Sequence, residues 1–310
     1  MSKLPILEGV IPSVATPLTE EGGVDETRLR GLVRFLLRAG VHGFLANGTM
    51  GGFAFLTSDD QIRAISVIVD EVRGAVPVIG NVAETGTRRT IHQLKQVERT
   101  GVTFISVLTP FYHPATQDQL IGFYKEVAAA SSTRMLLYDN PGMTKNRILP
   151  ETVEVIRTGI PNIIGIKESD GDPGNLKKLV ALTRGEASFC VFAGNERLML
   201  AGLQMGCAGS IAGLHNICPK LVVDLYRAHR AGNVEIAQDL QQNLDEVWHI
   251  FQYGNLWGGF DEGLRYLGLA KSVVGAPYSS KLTASEAERI RNIIDRFVGP
   301  GLGTGQPREG

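Results

Sequence analysis

Short apolar runs alternate with amphipathic helical patterns along the first 231 residues, and this pair of patterns occurs eight times. The runs are apolar on both faces of the pleat, which is typical of strands covered on both sides. Strands separated by helices pair in parallel through right-handed crossovers, and eight such units can close into a (β/α)8 TIM barrel. We therefore predict an α/β fold of this class, with strands at residues 9–16, 43–46, 77–82, 103–108, 134–139, 162–167, 188–193 and 209–212.

An open, doubly wound sheet is the alternative arrangement for the same pattern. That architecture is favoured when a glycine fingerprint of the form G-x-G-x-x-G follows the first strand. The loop at residues 17–24 is rich in glycine and acidic residues but lacks this fingerprint. The barrel is therefore the favoured architecture.

Apolar spacing and cap residues predict where the helices lie. The first helix begins near Asp25 and has apolar residues at i, i+3, i+4, i+7 and i+8, which form one buried face. Ser58 with Gln61, and Thr116 with Gln119, have the spacing of a capping box and are predicted to begin two later helices. These helices occupy the intervals between the predicted strands.

The strand signal disappears after residue 231, and three helical patterns follow. They lie at about residues 234–253, 260–273 and 283–297, and we expect them to form a helical extension of the barrel. The last segment, GPGLGTGQPREG, has few apolar residues and is predicted to be a flexible tail. The predicted organisation is a barrel at 1–231, a three-helix extension at 232–298 and a tail at 299–310.

The charge of the chain argues against some classes of partner. Lysine and arginine together number 31 and aspartate and glutamate 32, which gives a net charge of -1. A chain with this balance produces no field that would attract nucleic acid or an anionic membrane surface. We expect a small-molecule partner, with no nucleic acid and no membrane.

The N-terminal residues and the cysteines favour a cytoplasmic protein. Pro5 and Glu8 interrupt the segment where a signal peptide needs an unbroken apolar core, and no stretch is long enough to span a bilayer. Cys190, Cys207 and Cys218 have no C-x-x-C spacing, so free thiols are predicted. A reducing compartment fits this combination.

The apolar run at residues 162–167 ends in Lys167. A lysine amine at the rim of an apolar core can act as a nucleophile and form an imine with a ketone. The alternative is a lysine that leaves the strand for solvent or pairs with Glu168 or Asp170. Because the active sites of (β/α)8 barrels lie at the carboxyl ends of the strands, the residues that end the other strands bear on this choice.

Residues suited to one pocket follow three other strands. The second strand opens into the glycine-rich turn at residues 47–52, the fourth is followed by Tyr112, and the fifth ends near Tyr138. Amides in such a turn can hold a carboxylate, and tyrosines can relay protons. Taken singly, the turn is also typical of a tight strand-to-helix connection. Each tyrosine, taken singly, is also typical of a core residue. Their occurrence at several strand ends together with Lys167 favours an active site.

Four motifs in order give the chain a family resemblance. GTMGG, TPFYH, YDNP and GIKES resemble the pattern G-[ST]-T-G-E, T-P-x-Y, Y-N-x-P and G-x-K-[ED] of the dihydrodipicolinate synthase and N-acetylneuraminate lyase family of Schiff-base aldolases. The similarity extends from about Gly9 to the terminal helices. It implies a class I aldolase or lyase that needs no cofactor and no metal, and that makes or breaks a C–C bond between pyruvate, or a related 2-oxo acid, and an aldehyde.

The resemblance also implies roles for individual residues. Lys167 matches the imine-forming lysine, Tyr138 the tyrosine that moves protons at the substrate, and Thr49 the hydroxyl that links two tyrosines. Tyr112 matches a tyrosine that reaches a neighbouring subunit's site in many members, which are typically homotetramers built as dimers of dimers. The positions that match the walls of the substrate pocket are Gly48, Thr49 and Met50, through their amides, and Gly194 and Ile211, through their backbone.

Three positions depart from the family pattern. Met50 stands where a second hydroxyl residue is common, and Gly52 stands where the motif has glutamate. Met143 stands where synthases that act on aspartate semialdehyde carry an arginine. The first two leave imine chemistry intact, whereas the third argues against the best-known activity of the family.

Other functions stay open at this point. One alternative is 4-hydroxy-tetrahydrodipicolinate synthase itself, which condenses pyruvate with aspartate semialdehyde. Another is a catalytically reduced barrel that binds a 2-oxo acid, although a pure binder has no need of Lys167 as a nucleophile. A metal-dependent aldolase needs histidine and carboxylate ligands gathered at the strand ends. The histidines show no i, i+4 or H-x-H pair, which disfavours a metal-dependent aldolase, although a barrel can gather ligands that are distant in sequence. These histidines are His42, His92, His113, His215, His229 and His249.

Overall fold

Eight short strands, all parallel, form one curved sheet. The computed structural model describes residues 7–183, 189–279 and 281–298. The strands are β1 (Gly9–Pro12), β2 (Phe44–Ala46), β3 (Val78–Val82), β4 (Phe104–Leu108), β5 (Met135–Asp139), β6 (Ile163–Glu168), β7 (Cys190–Ala193) and β8 (Gly209–Ala212). They are hydrogen-bonded in the order β1-β8-β7-β6-β5-β4-β3-β2.

The two ends of this sheet, β1 and β2, meet and nearly close it. Ser13 and Leu45 form a parallel bridge, and the Val14 amide donates to the Leu45 carbonyl at 2.9 Å. Helices cover the outside of the sheet. The prediction of a (β/α)8 TIM barrel followed by C-terminal helices is confirmed. The described α-helices are α1 (Glu26–Ala39), α2 (Ser58–Val72), α3 (Thr87–Glu98), α4 (Gln117–Ala129), α5 (Pro141–Thr144), α6 (Pro150–Gly159), α7 (Pro173–Leu182), α8 (Met199–Met205), α9 (Pro219–Arg230), α10 (Val234–Trp248), α11 (Gly258–Tyr266) and α12 (Ala284–Phe297).

The interior of the barrel is filled by side chains that point inward from the strands. One buried cluster includes Ile11, Leu45, Ile79, Phe104, Leu136, Phe192 and Ile211. A second, nearer the carboxyl ends of the strands, consists of Ala83, Leu108 and Tyr138. The barrel is therefore a packed core rather than a pore, and polar chemistry is confined to the layer above the first cluster.

The helices pack on the sheet as their apolar spacing predicts. In α1 the residues Leu29, Leu32 and Leu36 are fully buried, while Leu37 is only partly buried. Burying each such leucine is worth about 1.5–3 kcal/mol, so this face holds the helix in place. The Asp25 side chain accepts from the Arg28 amide and caps the helix.

Two local predictions differ from the structure. The first strand was expected at 9–16 but ends at Pro12, because the backbone then turns from β8 toward β2 to close the barrel. The cap of α2 is Thr57, whose side chain accepts from the Asp60 amide, and not Ser58. Gln61 does not reach back to the cap because its side chain is buried and donates to the Phe53 carbonyl. The capping box predicted for α4 is present.

Among the described residues three α-helices follow α9, where the sequence predicted three helices. The middle one, α11, is shorter than its pattern at 260–273, because the chain turns into a loop after Tyr266. The proposed boundary at residue 231 stays a prediction, and the tail at 299–310 lies outside the described residues. Within the part of the chain that is described, no helix is long and apolar enough to cross a membrane.

The three cysteines are free thiols, as predicted. Burial raises the pKa of Cys190 and of Cys207 to about 12, and it raises the pKa of Cys218 further. These thiols are therefore protonated at neutral pH and serve as small apolar side chains.

Candidate active site

Lys167 lies near the carboxyl end of β6, and its side chain points into the barrel. It is 4% exposed, and its register partner on β5 is Tyr138. The amine nitrogen Nζ lies 4.0 Å from the centre of the Tyr138 ring. Lys167 thus neither leaves the strand for solvent nor forms an ion pair with Glu168 or Asp170 among the described contacts. A buried amine beside a phenol is an arrangement suited to imine chemistry.

The Tyr138 hydroxyl is the centre of a small hydrogen-bond network. Thr49 Oγ1 lies 3.0 Å from it, and the Asn140 side-chain amide donates to both Tyr138 Oη and Thr49 Oγ1 at 3.4 Å. Sequence reasoning selected Tyr138 and Thr49 but missed Asn140. The available signal was its place in YDNP, two residues after Tyr138, where the next inward position follows the end of the strand.

The surroundings of Tyr138 favour its phenolate. Burial by itself would raise the pKa of Tyr138, but the positive charge of Lys167 and hydrogen bonds from Lys167, Thr49 and Asn140 outweigh it, so the pKa is lowered. A tyrosine of lowered pKa gives up and recovers a proton more readily near neutral pH. The site therefore contains a nucleophile and a proton carrier in contact.

The turn after β2 presents backbone amides next to this network. Asn47 has a positive φ of 59°, and its side chain holds this conformation by donating to Gln61 Oε1 and to the Asn81 carbonyl, each at 3.2 Å. In the described part of the chain, the amides of Gly48, Thr49 and Met50 donate to no protein group. Free amides that converge in a turn can hold an anion.

Glycine is required at two of the predicted pocket positions. A Cβ on Gly48 would lie 2.6 Å from Ser13 Oγ, and a Cβ on Gly194 would lie 2.0 Å from Ser169 Oγ. The Gly194 amide donates to the Glu168 carbonyl at 2.6 Å. Both glycines therefore let the backbone pack closely around the carboxyl ends of the strands.

Two further ionisable residues lie within electrostatic reach of Lys167 and were not singled out from the sequence. Glu196 is buried, its pKa is raised by that burial, and it accepts from the Leu214 amide at 2.8 Å. Burial lowers the pKa of His215 to about 4, so its imidazole is neutral at pH 7. Both come from loops after β7 and β8, and no spacing in the sequence links them to Lys167.

A pair of buried carboxyls lies on the outer face of the same two strands. Asp139 and Glu168 are register partners, and they directly follow Tyr138 and Lys167. Burial, together with the neighbouring acids, raises the pKa of each carboxyl to about 7. Asp139 Oδ1 accepts from the Ile148 amide at 3.1 Å, which ties the loop after β5 to the strand.

Tyr112 is the predicted site residue that the structure does not bring to the others. It is 82% exposed, and its ring packs against His113 with ring centres 4.9 Å apart. Its φ of 81° is uncommon for a residue with a side chain. Within this one chain Tyr112 makes no contact with Thr49, so its predicted role requires a second subunit.

The other predicted pocket residues occupy different levels of the barrel. Met50 is nearly buried against Gly213, and the Ile211 side chain belongs to the apolar cluster inside the barrel. Met143, on α5, is 55% exposed at the mouth. Of the two nearby cations, Arg147 pairs with Asp170 and Lys145 is exposed.

A cavity of about 620 Å³ opens beside the network. Thr49 and Met143 line it, whereas Lys167 and Tyr138 do not. Its apolar walls include Phe53, Phe55, Phe111, Leu256, Trp257 and Tyr278.

Comparisons with known proteins agree with the fold and with the motifs. The pattern of the dihydrodipicolinate synthetase family matches residues 6–296. An uncharacterized DapA-like lyase of Halobacterium salinarum is 32% identical over 87% of this chain and 88% of its own, and a 4-hydroxy-tetrahydrodipicolinate synthase of Methanopyrus kandleri is 34% identical over 77% and 79%. Among solved structures, YagE, an E. coli K12 prophage protein of the dihydrodipicolinic acid synthase family in complex with pyruvate, superimposes with a TM-score of 0.90 at 25% identity, covering 94% of this chain and 99% of that one.

Proposed function

The chain belongs to the dihydrodipicolinate synthetase family, whose members are lyases, and we propose that it is a class I aldolase or lyase in which Lys167 forms an imine with pyruvate or a related 2-oxo acid. The observation that carries this proposal is the position of the Lys167 amine, 4.0 Å from the ring centre of Tyr138. The Tyr138 hydroxyl is in turn bonded to Thr49 at 3.0 Å.

The proposed chemistry assigns one step to each group. The Lys167 amine attacks the ketone carbon of the 2-oxo acid, and loss of water gives the imine, which acts as an electron sink. Tyr138 takes a proton from C3 to give an enamine, whose C3 attacks the aldehyde carbonyl carbon as Tyr138 returns that proton to the carbonyl oxygen. Water then hydrolyses the imine and frees Lys167. The cleavage direction runs through the same steps in reverse.

The turn after β2 is proposed to hold the carboxylate of the 2-oxo acid. The amides of Gly48, Thr49 and Met50 have no protein acceptor in the described residues, and Gly48 has no room for a side chain. A carboxylate bound there would place its ketone toward the barrel axis, where Lys167 lies. Gly194 and the backbone of Ile211 are proposed to line the opposite side.

Tyr112 is proposed to act in a neighbouring subunit's site, within a homotetramer built as a dimer of dimers. An exposed aromatic ring on a backbone of positive φ supports this, because neither feature is favourable for an isolated chain. Sedimentation of the wild type and of Tyr112→Ser tests the proposal. A monomeric wild type of full activity would contradict it.

We also propose a cytoplasmic location. The three free and largely buried thiols support a reducing compartment. Immunodetection in cell fractions is the direct test.

The aldehyde is proposed to differ from aspartate semialdehyde. A cation that pairs with a substrate carboxylate is worth about 1.5–3 kcal/mol, and Met143 supplies none of it. Arg147 is paired with Asp170 and does not line the cavity. The name of the Methanopyrus relative favours the synthase alternative, so both activities are to be measured. A pure binding function is less favoured because it gives no reason for the Lys167 and Tyr138 arrangement.

Substitution of Lys167 tests the mechanism. We expect Lys167→Ala to abolish turnover and to leave the fold intact, since no other amine lies at this position. Lys271→Ala, which changes an exposed lysine far along the chain, is the matched control and should keep full activity. Near wild-type turnover in Lys167→Ala, or complete loss of wild-type activity with a chelator, would rule out the imine mechanism.

A further inference from the structure

The cavity of about 620 Å³ reaches the hydrogen-bond network of Tyr138 at Thr49, although Lys167 and Tyr138 do not line it. Its inner end is formed by Thr49, which is bonded to the Tyr138 hydroxyl, and by Ala83 and Leu108, which pack on Tyr138. Met143, at the position expected to face the second substrate, lines the same cavity. A molecule bound there would have one end beside the proton-carrying network.

Aromatic side chains form two walls of this cavity. Phe53 and Phe111 lie edge to face with ring centres 6.1 Å apart. On the other side, Phe55 lies edge to face with Trp257 at 5.5 Å and tilted against Tyr278 at 6.2 Å. Aromatic rings arranged in this way offer both faces and edges to a further ring.

The charged groups of the cavity are paired with one another. Glu84 and Arg89 carry charge among its lining residues, and Arg89 Nε donates to Glu84 Oε2 at 2.6 Å while Nη2 donates to Oε1 at 3.3 Å. Because these two charges offset each other, the charged part of the cavity lining carries no net charge. The cavity therefore favours a neutral ligand.

The main polar side chains of the cavity are also engaged. Gln61 donates to the Phe53 carbonyl at 2.9 Å and accepts from Gln93 at 2.5 Å. Thr144 donates to the Asn140 carbonyl at 3.1 Å, and Asn255 donates to the Ser279 carbonyl at 3.0 Å and accepts from the Trp257 amide at 3.0 Å. A polyhydroxylated chain would find few free partners, so an apolar ligand fits better.

The mouth of the cavity exposes large apolar side chains to water. Met143, Leu256 and Tyr278 are 55%, 38% and 52% exposed, and all three line the cavity. Exposed apolar groups gathered at one opening are typical of a binding site. The volume is within the range of about 300–1,000 Å³ that small-molecule sites have.

We propose that this cavity binds the aldehyde partner of the reaction and that the preferred aldehyde is neutral and aromatic. The inference rests on the proposed function, since it requires the enamine on Lys167. C3 of that enamine forms a bond to the aryl aldehyde carbon, the carbonyl oxygen takes a proton from Tyr138, and water hydrolyses the imine. The sum is pyruvate plus an aryl aldehyde giving a 4-aryl-4-hydroxy-2-oxobutanoate.

The test compares aldehydes with the wild-type protein. Pyruvate is supplied with benzaldehyde, glyceraldehyde or aspartate semialdehyde, and product is measured by chromatography and mass spectrometry. We expect kcat/KM for benzaldehyde to exceed that for glyceraldehyde by about 10-fold or more, the effect of burying one aromatic ring. An equal or lower value for benzaldehyde would overturn the inference.

Variants then locate the preference in the cavity. Tyr278→Ala should lower the ratio of benzaldehyde to glyceraldehyde kcat/KM by about 2- to 10-fold, as loss of one ring contact does, and Phe111→Ala should lower it similarly. Taking the ratio within one variant cancels any general loss of activity. The control is Val155→Ala, on α6, which shortens a side chain that is 50% exposed outside the cavity and should leave the ratio unchanged.

The outcomes separate this inference from the proposed function. If pyruvate and borohydride label Lys167 but the ratio is at or below one, or is unaltered in both cavity variants, the aromatic preference is wrong and the imine mechanism stands. If no 2-oxo acid labels Lys167, the proposed function fails and this inference fails with it.

Discussion

Replacement of Tyr138 by phenylalanine separates the two halves of the proposed mechanism. The phenyl ring of Tyr138→Phe can stay beneath the Lys167 amine, which lies 4.0 Å from the ring centre in the wild type. The change removes the hydroxyl that lies 3.0 Å from Thr49 Oγ1 and 3.4 Å from the Asn140 amide. Attack by Lys167 on the ketone is therefore retained, while the proton carrier is lost.

The expected loss is large for turnover and small for stability. Losing a general acid–base slows a reaction by about 10² or more. This corresponds to an increase of about 2.7 kcal/mol or more in the activation free energy of the catalysed reaction. Losing the hydrogen bonds of one buried hydroxyl costs about 1 kcal/mol of unfolding free energy. Thr49 and Asn140 can still bond to each other, which limits that cost.

The assay measures two quantities on the same preparation. One is the rate at which the borohydride-trapped pyruvate adduct forms, and the other is the steady-state kcat. Tyr124→Phe is the matched control, because Tyr124 is also fully buried and its hydroxyl donates to the Val107 carbonyl at 3.2 Å, away from Lys167. We expect this control to lose similar stability and to keep its activity. Equal losses of adduct formation and turnover in Tyr138→Phe would show that Tyr138 is structural.

Three further predictions concern the surroundings of this network. Met143→Arg should raise kcat/KM for aspartate semialdehyde by about 10- to 150-fold relative to wild type, as a charge-assisted contact would, and a wild type already at about 10⁴ M⁻¹s⁻¹ or above would contradict this. Asn140→Ala removes a hydrogen bond that lowers the pKa of Tyr138, so it should raise that pKa and shift the pH profile of kcat toward higher pH. An unchanged pH profile would refute this. The pKa of Asp139 is raised to about 7 from about 3.9 unfolded, so its favourable contribution to folding is present below about pH 4 and is lost as the pH rises through 7. The unfolding free energy of Asp139→Asn should therefore rise relative to that of the wild type by up to about 4 kcal/mol between pH 4 and 8. Urea unfolding measures this difference at each pH, and a difference that does not change with pH would contradict the prediction.

The fold was predictable because its determinants are local. Strand β8 was placed at residues 209–212, and the structure has Gly209–Ala212. Asp25 and Thr116 cap helices where the sequence placed them. The end of β1 was not predictable, because it depends on where the chain turns toward β2 to close the barrel, which is a long-range pairing.

Part of the site was predictable because strand ends converge at one face of a barrel. Lys167, Tyr138 and Thr49 follow from that rule together with the motifs, and the structure brings these three together. Their catalytic roles stay predictions until they are measured. Asn140 follows the same inward alternation as Tyr138, but it was missed because it lies one residue past the end of β5.

Other features of the site depend on pairing between strands that no local pattern reveals. The buried carboxyls of Asp139 and Glu168 become neighbours only through the register of β5 and β6. Glu196 and His215 approach Lys167 from the loops that follow two other strands. Their burial and altered pKa values come from the assembled barrel, so the sequence alone gave no reason to select them.

The site of covalent trapping tests the imine mechanism of Lys167 most directly. The wild type is incubated with pyruvate and borohydride, digested, and mapped by mass spectrometry, beside Lys167→Ala. We expect one reduced pyruvate adduct on the peptide that contains Lys167, and none in Lys167→Ala. An adduct on another lysine, or no adduct with pyruvate or any other 2-oxo acid, would contradict it.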